Sequence, residues 1–392
     1  MLPVVIYEPP YASRLWPVSD FYPVWELRCG AYTFVERWKN YFPDAELILL
    51  PRPDLSEVSR SMQPGLKVIS RESLPDEAVF ISALLLPSPS FDALSVAAGG
   101  DNPHCKRMTR GAFPEILTTT LHDNPCGSED EDYLIIREIW HLVQFLQPAL
   151  RWDISFISST AVEKFTDEYK ESNAFISNSV LLHSPIAIDT SSGPVLIAKG
   201  VEVKPFSSLV GPLYIGENSI VLGGRISHSS FGRKCRISGE VTDSVFQDLV
   251  NKAHDGFIGH SWLSACVNIG AMTTNSNLKN TYGSIRLQTP DGKVDTGLNK
   301  FGFVCGPHTK FGIGSLIPTG SLYGGFCSLA AGGEFLPKHL GSFTWLEGKQ
   351  ATQYKFDSAV KVAHTVCERR NEVFSSAEMK RALAIYKKIA KT

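Results

Sequence analysis

The chain predicts an α/β domain followed by a parallel β-helix and a helical tail. Three observations carry this. First, bulky aliphatic residues return every six positions at Ile197, Val203, Leu209, Ile215 and Val221, a period that belongs neither to an α-helix nor to an alternating strand. Such a step is the mark of short strands stacked one coil above another, because a single coil cannot bury its own aliphatic row. Second, residues 1–165 set short apolar runs beside an amphipathic helix pattern, as in a small α/β domain with a parallel sheet. Third, two helical patterns, the second opened by a capping box, close the chain after residue 345. The expected domains are 1–165, 166–345 and 346–392.

Within the first domain, Val4 to Tyr7 reads as a strand. Thr33 to Tyr41 reads as a helix whose Thr33 and Glu36 are spaced as a capping box. Glu46 to Leu50 and Val79 to Leu86 read as buried strands edged by proline, and residues 87–130 as loops. Asp130 to Leu146 carries Leu134, Ile135, Ile139, Leu142, Val143 and Leu146 at spacings that suit a helix. In the second domain, the six-residue step resumes after residue 300 at Val304, Lys310, Leu316 and Leu322, and Lys338 to Gln350 leaves the coil. In the tail, Ser358 to Arg370 forms one helix. A second begins at Ser375-Ser376-Ala377-Glu378, another capping box, and presents Met379, Ala382, Leu383, Tyr386 and Ile389 on one face.

Composition limits the function classes. The chain has 392 residues, 43% hydrophobic and 20% charged, with a formal net charge of -2. That balance points to an ordinary globular protein and offers no electrostatic footprint for nucleic acid. No apolar run approaches the ~20 residues that span a bilayer. Residues 1–7 lack a basic segment and a cleavage-like site, so a cytoplasmic protein is expected. Eight cysteines without a C-x-x-C pair suit buried, reduced thiols. His228, His260 and His308 are spaced too irregularly for a metal site within one chain, so no metal ligand is assigned. Packing of a trimer could still bring histidines of different subunits together.

The central stretch, Asn251 to Asn280, breaks the six-residue row. Its segments Asn251-Lys252-Ala253-His254 and Asn268-Ile269-Gly270-Ala271 resemble the Lys-Ala-Gly-His and Asn-Ile-Gly-Ala segments of the hexapeptide-repeat acyltransferases. The likeness is to the acetyltransferase half of bifunctional uridylyltransferase/glucosamine-1-phosphate acetyltransferases, and it spans roughly residues 193–345. It implies a left-handed parallel β-helix, a homotrimer with sites at subunit clefts, and acetyl-coenzyme A as co-substrate. By that likeness His254 is the general base. A histidine suits the task because its ordinary pKa, ~6.5, lies near working pH. Asn268 and Asn277 would supply amide groups to a sugar or a tetrahedral intermediate. Lys252, Asp255 and Arg225 are further candidates at the substrate. The family's Glu is matched by Glu240, but the Lys two places on, which grips sugar phosphate, is here Thr242. Arg225, Arg233, Lys234 and Arg236 could replace that charge, contact coenzyme A phosphates, or form a solvated basic edge.

The first 40 residues carry a second likeness. Arg14, Leu15 and Pro17, then Pro23, Val24, Glu26, Leu27, Arg28 and Gly30, resemble the front of a sugar nucleotidyltransferase-like domain, in the diverged subfamily that fuses it to a hexapeptide helix. The loop after the first strand, Glu8-Pro9-Pro10-Tyr11-Ala12-Ser13, holds no glycine for close backbone approach to a triphosphate. Asp54 is the nearest candidate for the Mg²⁺ that an active domain of this type would need. Arg14 and Arg28 can grip phosphate through their forks, or else make structural ion pairs with Glu8 or Glu26. The leading expectation is acyl transfer to an amino sugar or sugar phosphate. The alternatives are nucleotidyl transfer from a nucleoside triphosphate to a sugar 1-phosphate, and a non-enzymatic sugar-nucleotide-binding scaffold.

Overall fold

The computed structural model describes residues 2–93, 102, 104–114, 132–160 and 172–391. The front sheet is built from β1 (Val4–Tyr7), β2 (Leu47–Leu50), β3 (Lys67–Val68), β4 (Glu77–Ser82) and an edge strand, β6 (Cys105–Thr109), in the order β3-β2-β1-β4-β6. Only β6 runs antiparallel. The strands β1 and β2 are wholly buried, and their unbroken apolar sequences suit a sheet covered on both faces. Helix α1 (Phe34–Tyr41) starts at Thr33 with both halves of the capping box made, and α2 (Ser56–Met62) follows β2.

The helix expected over Asp130 to Leu146 is formed only at its end, as the short helix His141–Gln144. Residues 130 and 131 lie outside the described residues, and Tyr133–Ile135 is a strand, β7, paired antiparallel with β5 (Leu85–Pro87). Leu134 and Ile135 are adjacent apolar residues, both buried here. The long helix of the region comes later, α3 (Leu146–Thr160), with Pro148 in its first turn where a missing N–H costs nothing. The strand β6 also falls in a stretch expected to be loop.

The rest of the described chain is a column of parallel strands. One face stacks 174–176, 195–197, 213–215, 230–231, 245–246, 262–263, 303–305, 321–323 and 339–340. A second face carries a parallel stack from Ile186–Asp189 to Thr344–Glu347. Ile197, Val203, Leu209, Ile215 and Val221 all face the interior and are fully buried. After the antiparallel hairpin Arg286–Thr289/Gly292–Asp295, the interior row is Cys305, Phe311, Ile317, Tyr323 and Leu329. The six-residue step therefore survives, displaced by one residue from Val304, Lys310, Leu316 and Leu322. Residues 339–340 and 344–347 still pair in parallel with the coil below, so the column continues where it was expected to end. The helices α4 (Phe356–Glu368) and α5 (Ser376–Ile389) form the tail, and α5 has the Ser375/Glu378 capping box.

The outward row Leu196, Tyr214, Val245, Trp262, Val304 and Leu322 explains the displaced step. It packs against the front domain's core, so residues on both sides of the coil wall are apolar. Polar bonds fix the same contact. Ser230 Oγ donates to Gly30 O at 2.6 Å, Trp262 Nε1 to Arg28 O at 3.0 Å, and Gln247 Nε2 to Glu26 O at 2.8 Å. Gly30 has φ +90°, and a Cβ there would lie 2.3 Å from Asp153 Oδ2. That carboxylate accepts Ala31 N and Tyr32 N at 2.8 and 3.1 Å, and Arg37 Nε and one guanidinium nitrogen at 2.9 and 2.6 Å. This buried pair, in which only Arg37 Nη1 among these groups lacks a hydrogen-bond partner, ties α1, α3 and the 23–30 segment together.

Candidate functional site

The coil corners are lined by residues with positive φ, and one corner organises the candidate site. Leu249, Cys266, His308, Phe326 and Phe343 occupy it in successive coils with φ of 66, 60, 58, 57 and 58°. Each is tied to the coil below: Cys266 N donates to Asp248 O at 3.1 Å and His308 N to Ala265 O at 3.0 Å. His308 stacks on Phe326 at 4.8 Å, and Phe326 on Phe343 at 5.0 Å. The tail covers this column through Phe374, Phe356 and Tyr386.

Two cavities flank the corner. The larger, about 530 Å³, lies between the front domain, the coil and the tail, and its walls include Glu26, Arg28, Asp248, Cys266, His308 and Cys367. It is rich in acids, and its arginines are already engaged. Arg28 is buried, donates to Ala31 O, and lies 3.8 Å from Glu36 and 3.7 Å from Asp248. Arg233 pairs with Asp248 at 2.9 Å and with Glu372. Burial pushes the Glu26 carboxyl up to about 7, although Gln63 donates to it at 2.9 and 3.2 Å. A carboxyl titrating there, on a cavity wall, is poised for proton transfer.

The smaller cavity, about 240 Å³, lies between the coil and α4, and Leu249 and Cys266 line both cavities. Its charged walls are Arg236, Lys310, Arg369 and Arg370, with Asn251 and Asn268 between them and no carboxylate. Among the described residues none of the four cations makes an ion pair. Arg370 donates to Lys234 O at 2.9 Å and to Asn251 Oδ1 at 3.3 Å, and Lys310 Nζ donates to Cys266 O at 2.5 Å. Burial draws Lys310 down to about 8; burial, then Arg236, draws Arg370 down. The groove is a cluster of uncompensated positive charge.

The expected site residues are scattered around this centre. Asn268 is in the groove, accepting from Asn251 Nδ2 at 2.8 Å. His254 lies at another corner and is exposed with Asp255, and its ring makes no hydrogen bond among the described residues. Lys252 is buried. It occupies the interior row with Val221, Ile237 and Ile269, and its amine donates to Ser238 O and His254 O at 2.7 and 2.6 Å. Burial draws it down to about 8. Asn277 turns to His260 Nδ1, 2.9 Å away, rather than to His254. His228, Asp243 and His260 stack at that third corner, with Asp243 Oδ2 4.0 and 3.8 Å from the two rings. Arg225 faces Glu240 at 3.8 Å.

At the front, Arg14 pairs with Glu138 at 3.1 Å, so neither arginine expected to bind phosphate is unspent. The crevice beyond β1 and β4 is filled by Tyr11, Ala12, Leu15, Ala83 and Leu84, all buried. Glu8 accepts from Val24 N and Arg52 N, both at 2.8 Å, and Asp54 from Arg381 at 2.6 Å. With both acids engaged, the described residues there do not fit a Mg²⁺ ion. Sequence reasoning missed Glu26 as a titrating group, and Arg369, Arg370 and Cys367, because their meaning comes from the tail folding back on the coil. No described helix is long and apolar enough to cross a membrane.

Comparison with known proteins gives one family. Residues 4–161 match the model described as sugar nucleotidyl transferase. No curated protein matches the chain. Among solved structures, a mutant of AntD, an N-acyltransferase from Bacillus cereus in complex with dTDP and coenzyme A, is 12% identical, covering 53% of this chain and 99% of its own, with a TM-score of 0.20. WeeI from Acinetobacter baumannii AYE is also 12% identical, covering 90% of this chain and 100% of its own, with a TM-score of 0.15. Scores this low carry no structural argument. The front of the chain is thus similar to the sugar nucleotidyl transferases, and it is joined to a column of parallel strands and a helical tail.

Proposed function

We propose that the protein is a transferase of sugar-phosphate chemistry that holds the phosphates of its ligand in the groove between coil and tail. The observation that carries this is the set Arg236, Lys310, Arg369 and Arg370, four cations around one cavity with no carboxylate. Charges of one sign brought together at the cost of their own repulsion are relieved by an anion, and arginine forks match phosphate oxygens. The match of residues 4–161 to sugar nucleotidyl transferases supports a sugar phosphate or nucleotide sugar as the class of ligand.

The reaction we infer is acyl transfer from acyl-coenzyme A to an amine of the sugar. The amine nitrogen attacks the thioester carbonyl, His254 takes the amine proton, and the coenzyme A thiolate leaves as the tetrahedral intermediate collapses. His254 is exposed on its corner and needs a second wall. Met272 N donates to Asp255 O one coil above, and Met272 and nearby Ile313 expose 63% and 82% of their surface. Apolar side chains beside a candidate base suit a subunit interface, so a homotrimer of left-handed coils is the assembly this reading takes. The domain limits 1–165, 166–345 and 346–392 accompany it, with the coil's end extended to about residue 347. Nucleotidyl transfer by the front domain is the second reading, favoured by the family match alone.

The test is thermal stabilisation by acetyl-coenzyme A, followed by an acyl-transfer assay on amino-sugar phosphates. Ligand at ~100 times its dissociation constant adds about 2.7 kcal/mol. Stabilisation of both wild type and His254→Ala, with transfer lost only in the variant, is expected. No stabilisation of either at millimolar ligand overturns acyl transfer. Pyrophosphate release from a nucleoside triphosphate and a sugar 1-phosphate would favour the second reading.

A further inference from the structure

The corner that separates the two cavities holds a donor set that the spacing of cysteines and histidines does not reveal. We propose that Cys266, His308 and Cys367 bind one divalent cation of the zinc type, with a fourth coordination position facing the 530 Å³ cavity. Cys266 and His308 stand one above the other in adjacent coils, and α4 brings Cys367 against them. Their two sulfurs and one ring nitrogen all lie within 4.8 Å of one another, and all three residues are buried.

His308 supplies a second, independent observation. The residue is 5% exposed, and its Nδ1 has no hydrogen-bond partner. A buried imidazole nitrogen left without a partner costs free energy that a metal bond recovers. The two thiols hydrogen-bond only weakly to one another.

Two sulfurs and an imidazole form a donor set suited to Zn²⁺, which prefers four-coordinate sites of this composition. Bond lengths of ~2.0–2.3 Å place tetrahedral ligand atoms roughly 3.5 Å apart, a contraction that side-chain rotation can supply. Each thiol loses its proton to solvent as its S–metal bond forms. Two thiolates then balance the dication, leaving a buried centre with no net charge. The neighbouring acids are not free to complete it. Glu372 pairs with Arg233 and Lys234, and Glu378 caps Ser375. The remaining position therefore opens to the cavity, where Glu26 also lies. Three protein ligands and an open position are the pattern of a reactive metal rather than a closed structural one. The donor set stands whether or not the cationic groove holds phosphate.

The test is elemental analysis of the full chain, untagged and purified without chelator, followed by titration of Co²⁺ into metal-free protein. About one zinc per chain is expected, lost in Cys266→Ser and Cys367→Ser. Co²⁺ should give the sulfur-to-metal absorption of a tetrahedral thiolate site. The wild-type spectrum keeps the test decisive should a variant fail to fold. Metal-free protein that takes up neither zinc nor cobalt would overturn the proposal. So would zinc retained in both serine variants, or a Cys266–Cys367 disulfide found by mass under non-reducing conditions.

Discussion

Two places in the molecule invite phosphate, and they differ in what has become of their charge. At the front sheet, Arg14 and Arg28 follow β1 in an arrangement similar to a nucleotidyltransferase, yet Arg14 pairs with Glu138 and Arg28 lies buried between Glu36 and Asp248. The carbonyls of Glu26, Arg28 and Gly30 are bonded to the coil, so the segment that looks like a ligand loop serves as a docking surface. In the groove, Arg236, Lys310, Arg369 and Arg370 meet without a carboxylate. Counting arginines therefore misleads, because a cation's availability depends on whether an acid has already neutralised it.

The largest effect expected is on the front arginine. Arg28→Met should cost about 3 kcal/mol in denaturant unfolding, near the low end for a broken buried pair, since Asp248 keeps Arg233. A loss under ~1 kcal/mol would mean that Arg28 is free for a ligand after all. A comparable effect belongs to Glu26, whose carboxyl sits at about 7 when folded and near ~4.3 when unfolded. The unfolded chain gives up this proton first. The contribution is therefore intact below the unfolded value and declines as pH rises towards the folded one, by roughly 3–4 kcal/mol in total. Glu26→Gln should flatten that decline in unfolding measured from pH 4 to 8 (a roughly chosen window spanning both values); an unchanged slope would contradict the assignment. The smallest effect is at Arg14, whose pair with Glu138 is half exposed on the arginine side. Arg14→Ala should change stability by less than ~1 kcal/mol and leave ligand affinity unaltered.

What the sequence made legible was whatever repeats or acts locally. The row from Ile197 to Val221 is visible because an interior wall accepts only apolar side chains. The capping boxes at Thr33 and Ser375 are visible because both partners lie within one turn. The step lost its phase after the hairpin at 286–295, where Val304 and Cys305 are equally buried, one under the front domain and one inside the coil. Periodicity cannot choose between two apolar faces. Tyr133–Ile135 deceived for a related reason, since a three-residue apolar strand fits a helical spacing equally well. Lys252 shows the converse, a charge beside the candidate base that points into the interior row. The groove and the corner cluster were not legible, because they join coils and tail helix far apart in the chain, and coil stacking alone makes them neighbours.

The most direct test is calorimetric titration with acetyl-coenzyme A and a nucleoside diphosphate, comparing wild type with Arg236→Glu, Arg369→Glu and Arg14→Ala. Reversing one groove charge should weaken binding at least tenfold, about 1.4 kcal/mol, and added salt should weaken wild-type binding in the same direction. Arg14→Ala should titrate as wild type does. Unchanged affinity in both groove variants, with binding lost in Arg14→Ala, would contradict the account and return the ligand to the front domain.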